Sequence, residues 1–407
     1  MPVPIRAYDP GDVDDIARIW REIGWIEGGT PHRAGLEAYL SVGATEVAIV
    51  EGSVESMAHR TPGTIRYEGT ELPFCGVTGV ATSHVARKLG LARRLTARAL
   101  RNARDEGAAV AGLGIFEQGF YDLVGFGLSS YDHLVHFDPA SLRLDHVPYR
   151  PPARITVDDA AEFHRAMVDR MPAHGGVCFE PPALVEAEMR WCDNLVGLGY
   201  RDADGRLTHG FFGSAKDEHG PLHVNFVAYR SVPELLEVLR SIRELGDQFH
   251  TVRLIEPAHI QVQSLLDQPM RQRSRSAGSP HESGIRSEAW TQLRVLDVGA
   301  LVAARSWAGP PVEFTLDLDD PAAHAEWTGA GGTYAVRLGE ESSAAAVDHA
   351  GDGPAVRCGV GTFTRLWFGV ESASTLAATE GLDAPPDLLA TLDDAFVLPP
   401  VRAGWDY

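Results

Sequence analysis

Apolar positions in this chain follow two rhythms, a period near 3.6 and a period of two, and Gly, Pro or Asp marks most changes between them. Residues 5–7 read as a first strand, broken by Pro10-Gly11-Asp12. Asp12 or Asp14 can then cap a helix carrying Ile16, Ile19, Trp20 and Ile23. Thr30-Pro31 opens a second short helix through Tyr39-Leu40. Residues 46–50 and 55–59 read as strands joined by the hairpin turn Glu51-Gly52-Ser53. A β-prone run at 77–82 precedes the turn Arg87-Lys88-Leu89-Gly90-Leu91-Ala92, and a long helical pattern follows to Gly107. In it Leu91, Leu95, Ala99 and Ala103 recur every four residues, with most arginines elsewhere. Strands at 109–115 and 134–137 end this first part, and residues 147–152 (VPYRPP) read as a linker.

The pattern then repeats in outline, with a helix at 158–170, a strand at 222–229, a helix at 233–246 and a strand at 251–255. No second basic Gly turn accompanies it. Residues 271–288 are Ser-, Arg- and Gly-rich and read as a loop. From 291 shorter alternating segments dominate (293–298, 313–316, 332–338), with a late helix at 386–396. The final residues include Trp405 and Tyr407, where frayed tails are normally polar, so this end is expected to be docked. The whole is an α+β chain, too long at 407 residues for one ordinary core.

Composition changes this picture little. Charged residues make up 23% and the formal charge is −20, from 36 Lys and Arg against 56 Asp and Glu. That balance disfavours nucleic acid or an anionic membrane as partner and suits a cationic substrate or simple solubility. Cys75, Cys178, Cys192 and Cys358 show no metal-binding spacing, so no metal is expected. The N-terminal residues lack an apolar signal core and no apolar run is long enough to span a bilayer, which points to the cytoplasm.

The chemistry concentrates at 79–107. A strand that ends in a basic, Gly-containing turn and opens a helix is suited to phosphate. The first helical amides lack internal partners, and the peptide dipoles place positive charge there. Gly90 has no Cβ, which lets an anion approach the backbone. The stretch reads as a pyrophosphate cradle.

Arg87-Lys88-Leu89-Gly90-Leu91-Ala92 resembles the acyl-CoA-binding motif of the GNAT N-acetyltransferases, Arg/Gln-x-x-Gly-x-Gly/Ala between a strand and a helix. Gly119-Phe120-Tyr121 and Gly125-Phe126-Gly127 resemble that family's tyrosine segment beside the thioester sulfur. His84 stands where many members have proline, and Thr82 replaces a frequent valine. The order of parts, together with residues 293–298 and 361–369, resembles the Eis-like (enhanced intracellular survival) acetyltransferases. The resemblance implies tandem GNAT-type domains at 1–148 and 149–290, the second without a cofactor motif, and a sterol-carrier-like α+β domain at 291–407. It implies an acetyl-CoA-dependent enzyme acting directly on a primary amine, aminoglycoside-like or lysine-like, and a homo-oligomer, possibly a hexamer.

Under this resemblance Val80, Thr82, Arg87, Lys88, Leu89, Gly90, Leu91 and Ala92 hold acetyl-CoA. Tyr121 is the general acid, since a phenol titrates close enough to a thiol to return a proton to sulfur. The carboxylate of Tyr407 is the candidate base, with Asp406 beside it. Glu22 or Glu27 would bind the cationic amine, with Trp25 as an apolar wall. A reading from another class is a carrier of lipid or apolar ligands that uses the last domain.

Overall fold

The fold is that of a computed structural model, which describes residues 3–405 apart from 27–29, 116, 118, 216, 268–281, 325–326, 328 and 350. Two large mixed sheets and one small sheet organise the chain. The first runs in the order Ile5–Ala7, Ala44–Val50, Ser53–Tyr67, Thr70–Thr82, Val110–Gly114, Thr291–Val295, Gly127–Leu128. The helix Leu91–Asp105 packs on it through Leu95, Ala99 and Ala103, all buried, as their spacing predicts. The second sheet contains Asp132–Phe137 from the first part of the chain and Gly284–Glu288 from the polar stretch read above as a loop. The rest of that stretch, up to residue 281, lies outside the described residues.

The two large sheets therefore exchange strands. Thr291–Val295 crosses into the first, between Val110–Gly114 and Gly127–Leu128, while Asp132–Phe137 lies in the second. Neither sheet is complete without the other's stretch of sequence. The small third sheet carries Val312–Asp319 at its centre-right, parallel to Ala355–Gly359 and antiparallel to Gly332–Leu338. The helix Val360–Trp367 turns from this third sheet onto the first, where the Thr364 hydroxyl accepts from the Val295 amide at 3.0 Å.

One internal ion pair ties these parts. Arg294, in the exchanged strand, meets Asp320 with both side chains essentially inaccessible to solvent. Arg294 also donates to the Val124 carbonyl and stacks on Trp327 at 4.6 Å, while Asp320 accepts from the Ala322 and Ala330 amides. A buried pair survives only when its remaining hydrogen-bonding groups are largely satisfied, and here most are. Among the described residues no helix is long and apolar enough to cross a membrane.

Candidate active site

The Thr70–Thr82 strand pairs with its parallel neighbour Val110–Gly114 only at Phe74, Cys75 and Gly76. Beyond Gly76 the two strands part. On its other edge the strand keeps its ladder with Ser53–Tyr67, with a break in register where His59 faces Thr78 and Met57 faces Ala81. The extra residues, Gly79 and Val80, form a bulge of the kind that re-aims backbone beside active sites. Gly79 has φ +56, and a Cβ there would stand 2.7 Å from the Tyr39 hydroxyl. Only glycine fits. The result is an open wedge lined by the backbone of 77–82.

The wedge leads into the basic turn. Lys88 (φ +66) and Gly90 (φ +71) are both left-handed, and the helix Leu91–Asp105 starts directly after them. No side chain caps this helix and no acid lies in its first turn. Its first amides are left for an anion, in a helix that also places Arg93 unfavourably close to its own dipole. A Cβ on Gly90 would meet no protein atom within 4 Å, so within the protein it is the left-handed φ that calls for glycine.

A cleft of about 570 Å³ lies over the turn. Val80, Thr82, Arg87, Lys88, Gly90, Leu91 and Ala92 all line it. Leu89 does not, being 52% exposed on the outside of the turn. Glu22 lines the cleft too, but it accepts from the His84 amide at 3.1 Å and from Arg18 at 3.0 Å, contacts that hold its pKa down. It braces the turn.

A second chamber of about 420 Å³ lies on the other side of the wedge and shares Val80, Trp25 and Tyr121 with the cleft. Tyr121 is the junction. It sits on the single turn Tyr121–Val124, buried among Phe120 and Phe126, and burial pushes its phenol up to about 12. Its hydroxyl makes no hydrogen bond among the described residues. Tyr121 lines both spaces and its phenol stays protonated at neutral pH.

Five of the chain's eight tryptophans line the chamber: Trp20, Trp25, Trp191, Trp290 and Trp405. Only Trp25 was legible from sequence as a wall. The others come from four distant stretches, with no local pattern to announce them. Trp20 contacts Trp25, Tyr39 and Trp191 at ring distances of 5.3, 5.4 and 5.6 Å. Trp405 packs against Phe179 at 5.5 Å, and the tail that carries it is held by Ala403, whose carbonyl accepts from the Val177 amide at 2.9 Å. The aromatic end of the chain is docked up to that residue. Glu27, Asp406 and Tyr407 lie outside the described residues.

The first sheet thus splits into a wedge, runs into an uncapped helix N-terminus and meets a buried tyrosine. Residues 4–129 match the family model of the acetyltransferase (GNAT) domain, and residues 298–403 match that of the sterol carrier protein domain. The chain thus carries an acetyltransferase (GNAT) domain in its first part and a sterol carrier protein domain in its last. Two Streptomyces griseus proteins described as uncharacterized N-acetyltransferases are 26% identical to it over 223 residues, 52% of this chain and 52% of theirs. The chain thus spans about half the length of the curated relatives it matches.

Solved structures match over nearly the whole length. A GCN5-related N-acetyltransferase from Anabaena variabilis has TM-score 0.78 at 16% identity, covering 99% of this chain and 100% of that one. Eis1 from Mycobacterium abscessus has TM-score 0.74 at 17% identity, with 99% and 100% covered. At such identities these likenesses establish the fold alone. Among the described residues no cluster of His, Cys, Asp and Glu could hold a metal ion.

Proposed function

We propose that the protein transfers an acetyl group from acetyl-CoA directly to a primary amine of a cationic small molecule. The observation that carries this reading is the meeting of two cavities at Val80 and Tyr121, one over an uncapped helix start and one walled by aromatics. The amides at Gly90 to Ala92, with Arg87 and Lys88, would hold the pyrophosphate of acetyl-CoA, and the backbone of Val80 and Thr82 its pantetheine arm. The thioester supplies the acetyl group and the leaving sulfur.

The amine nitrogen forms a bond to the acetyl carbon as the carbon–sulfur bond breaks. One ammonium proton goes to a base before attack, the Tyr121 hydroxyl proton goes to the departing sulfur, and the second proton the nitrogen loses as the amide forms restores the Tyr121 phenol. Trp405 in the chamber wall brings the tail close, which supports the carboxylate of Tyr407, or Asp406, as the base. The hexamer, which the resemblance implies, and the cytoplasmic location are carried with this proposal. A carrier function has less support, because the helix Val360–Trp367 spends part of its buried face on the first sheet.

Release of CoA thiol with a panel of primary amines tests the proposal. Amine-dependent release is the expected result, and its absence in protein that binds acetyl-CoA would overturn it.

A further inference from the structure

We infer that Arg93 is a further donor-binding residue, through which the pyrophosphate of acetyl-CoA and the docking of the sterol carrier protein domain strengthen each other; the inference rests on the acetyl-CoA reading above. Arg93 lies in the first turn of the helix Leu91–Asp105, where the peptide dipoles disfavour a cation and no acid is present to offset it. The motif does not require it, since Arg87 to Ala92 already complete the pattern. Two structural facts give it a task. Arg93 lines the cleft over the basic turn, and its Nη2 donates to the Pro321 carbonyl at 3.2 Å. Pro321 belongs to the stretch that matches the sterol carrier protein domain. One guanidinium therefore stands between the donor site and that domain.

The helix carries a face for this contact. Beside the stripe that packs on the first sheet, Arg93, Ala97, Leu100 and Arg104 form a second stripe at helical spacing. At its far end Arg104 donates to the Leu296 carbonyl at 2.9 Å, and between the two arginines Ala97 and Leu100 share an apolar cluster with Ala322, Trp327 and Tyr121. The segment that receives Arg93 is itself held firmly. Asp320 accepts from the Ala322 amide at 2.9 Å and from the Ala330 amide at 2.7 Å, and it pairs with Arg294. The Pro321 carbonyl is thus a fixed point, and the long Arg93 side chain is the part that must be ordered to meet it.

A guanidinium carries five N–H donors in a planar fork. In Arg93 the Nε is inaccessible and makes no hydrogen bond among the described residues, while Nη2 serves Pro321. A pyrophosphate oxygen in the cleft would take a charge-assisted bond from the same fork. An arginine already ordered by the anion has less freedom to lose when it meets Pro321, so each contact favours the other. The coupling is reciprocal: a donor that tightens the docked domain is itself bound more tightly when that domain is docked. Because Asp320 reaches the Val124 carbonyl through Arg294, order imposed by the donor extends to the turn that carries Tyr121.

The test follows hydrogen exchange of residues 312–324 in the full-length protein, with and without CoA, beside calorimetric titration of CoA. Saturating CoA should slow exchange there at least about fivefold, the lower end of ordinary coupling between sites. Arg93→Gln should weaken CoA binding about tenfold, the loss of one charge-assisted contact, and abolish the slowing. Arg93→Lys keeps the charge without the fork, so it should hold CoA within about threefold of native affinity and lose most of the slowing. CoA binding to the native protein with exchange unchanged, or native affinity in Arg93→Gln, overturns the inference and leaves the donor reading standing. A native protein that fails to bind CoA, yet whose exchange is slowed by inorganic pyrophosphate, would support the coupling through Arg93 and sink the acetyl-CoA reading.

Discussion

Tyr121 carries the sharpest test at the level of single residues. The residue lines both cavities, and its only described ring neighbours are Phe120 and Phe126. Tyr121→Phe keeps the ring and removes the hydroxyl with its proton, so kcat should fall by about 10²-fold with the KM for acetyl-CoA within about twofold. Unchanged kcat would remove the phenol from the reaction. Because burial raises this phenol to about 12, it stays protonated through neutral and mildly alkaline pH. No fall in kcat from its ionisation is expected below about pH 10, and an alkaline limb near pH 8 would assign the proton to another group. Gly90 gives a test of a different kind. Its left-handed φ constrains it, and a Cβ there meets no protein atom within 4 Å. Gly90→Asn should bind acetyl-CoA nearly as well as the native protein, whereas Gly90→Val should cost about 1–2 kcal/mol in the turn and weaken binding. Calorimetric titration of both variants with acetyl-CoA separates them, and equal affinities would show that the turn's shape does not matter.

Among the elements, those with strong local periodicity were legible and those set by long-range pairing were not. The helix Leu91–Asp105 and the helix Thr30–Leu40 follow directly from spacing and helix-start residues. The strand Ser53–Tyr67 is far longer than the 55–59 read from sequence, since it continues through Thr61-Pro62-Gly63, where Pro cannot donate to a ladder. There the strand faces Cys75 on one side and Phe179 on the other, and a Cβ on Gly63 would stand 2.4 Å from the Cys178 carbonyl. The basic turn was readable because its chemistry is contiguous. The aromatic chamber was not, because its tryptophans converge from residues 20 to 405. The exchanged strand Thr291–Val295 shows what such pairing does for the site. Its Arg294 holds the carbonyl of Val124, the last residue of the turn that begins at Tyr121, and Gln292 donates to Asp122 at 3.1 Å. Arg294 is therefore a positioning residue for the phenol. Asp320→Asn removes its charge partner, and leaving a buried cation unpaired should cost about 3–5 kcal/mol of stability. At temperatures where the variant stays folded, kcat should fall while the KM for acetyl-CoA is kept. A variant that loses stability with unaltered kcat would show the clamp to be structural only.

At the scale of the whole molecule, His174 stands where three parts of the chain meet. Its Nδ1 accepts from the Glu68 amide at 3.2 Å, which leaves Nε2–H to donate to the Phe368 carbonyl at 3.2 Å. This pattern needs the neutral ring, since a proton on Nδ1 would face the Glu68 N–H. Burial accordingly lowers the pKa of His174, as it does those of His59 and His164. For each, the folded protein binds fewer protons than the unfolded chain below the ordinary histidine pKa, so stability rises with pH across that window and is lost on acidification. His59, held near 3, alone should cost ~2 kcal/mol between neutral pH and pH 5. Paired carboxylates such as Asp12 and Glu22, whose pKa values are lowered, contribute their loss only further into acid. Denaturant unfolding at pH 7.5 and pH 5 should therefore show a drop of at least about 2 kcal/mol, and His59→Gln should flatten that dependence. A stability that does not change between the two pH values would mean that the buried rings are already protonated, and that the Glu68–His174–Phe368 junction is held in some other way.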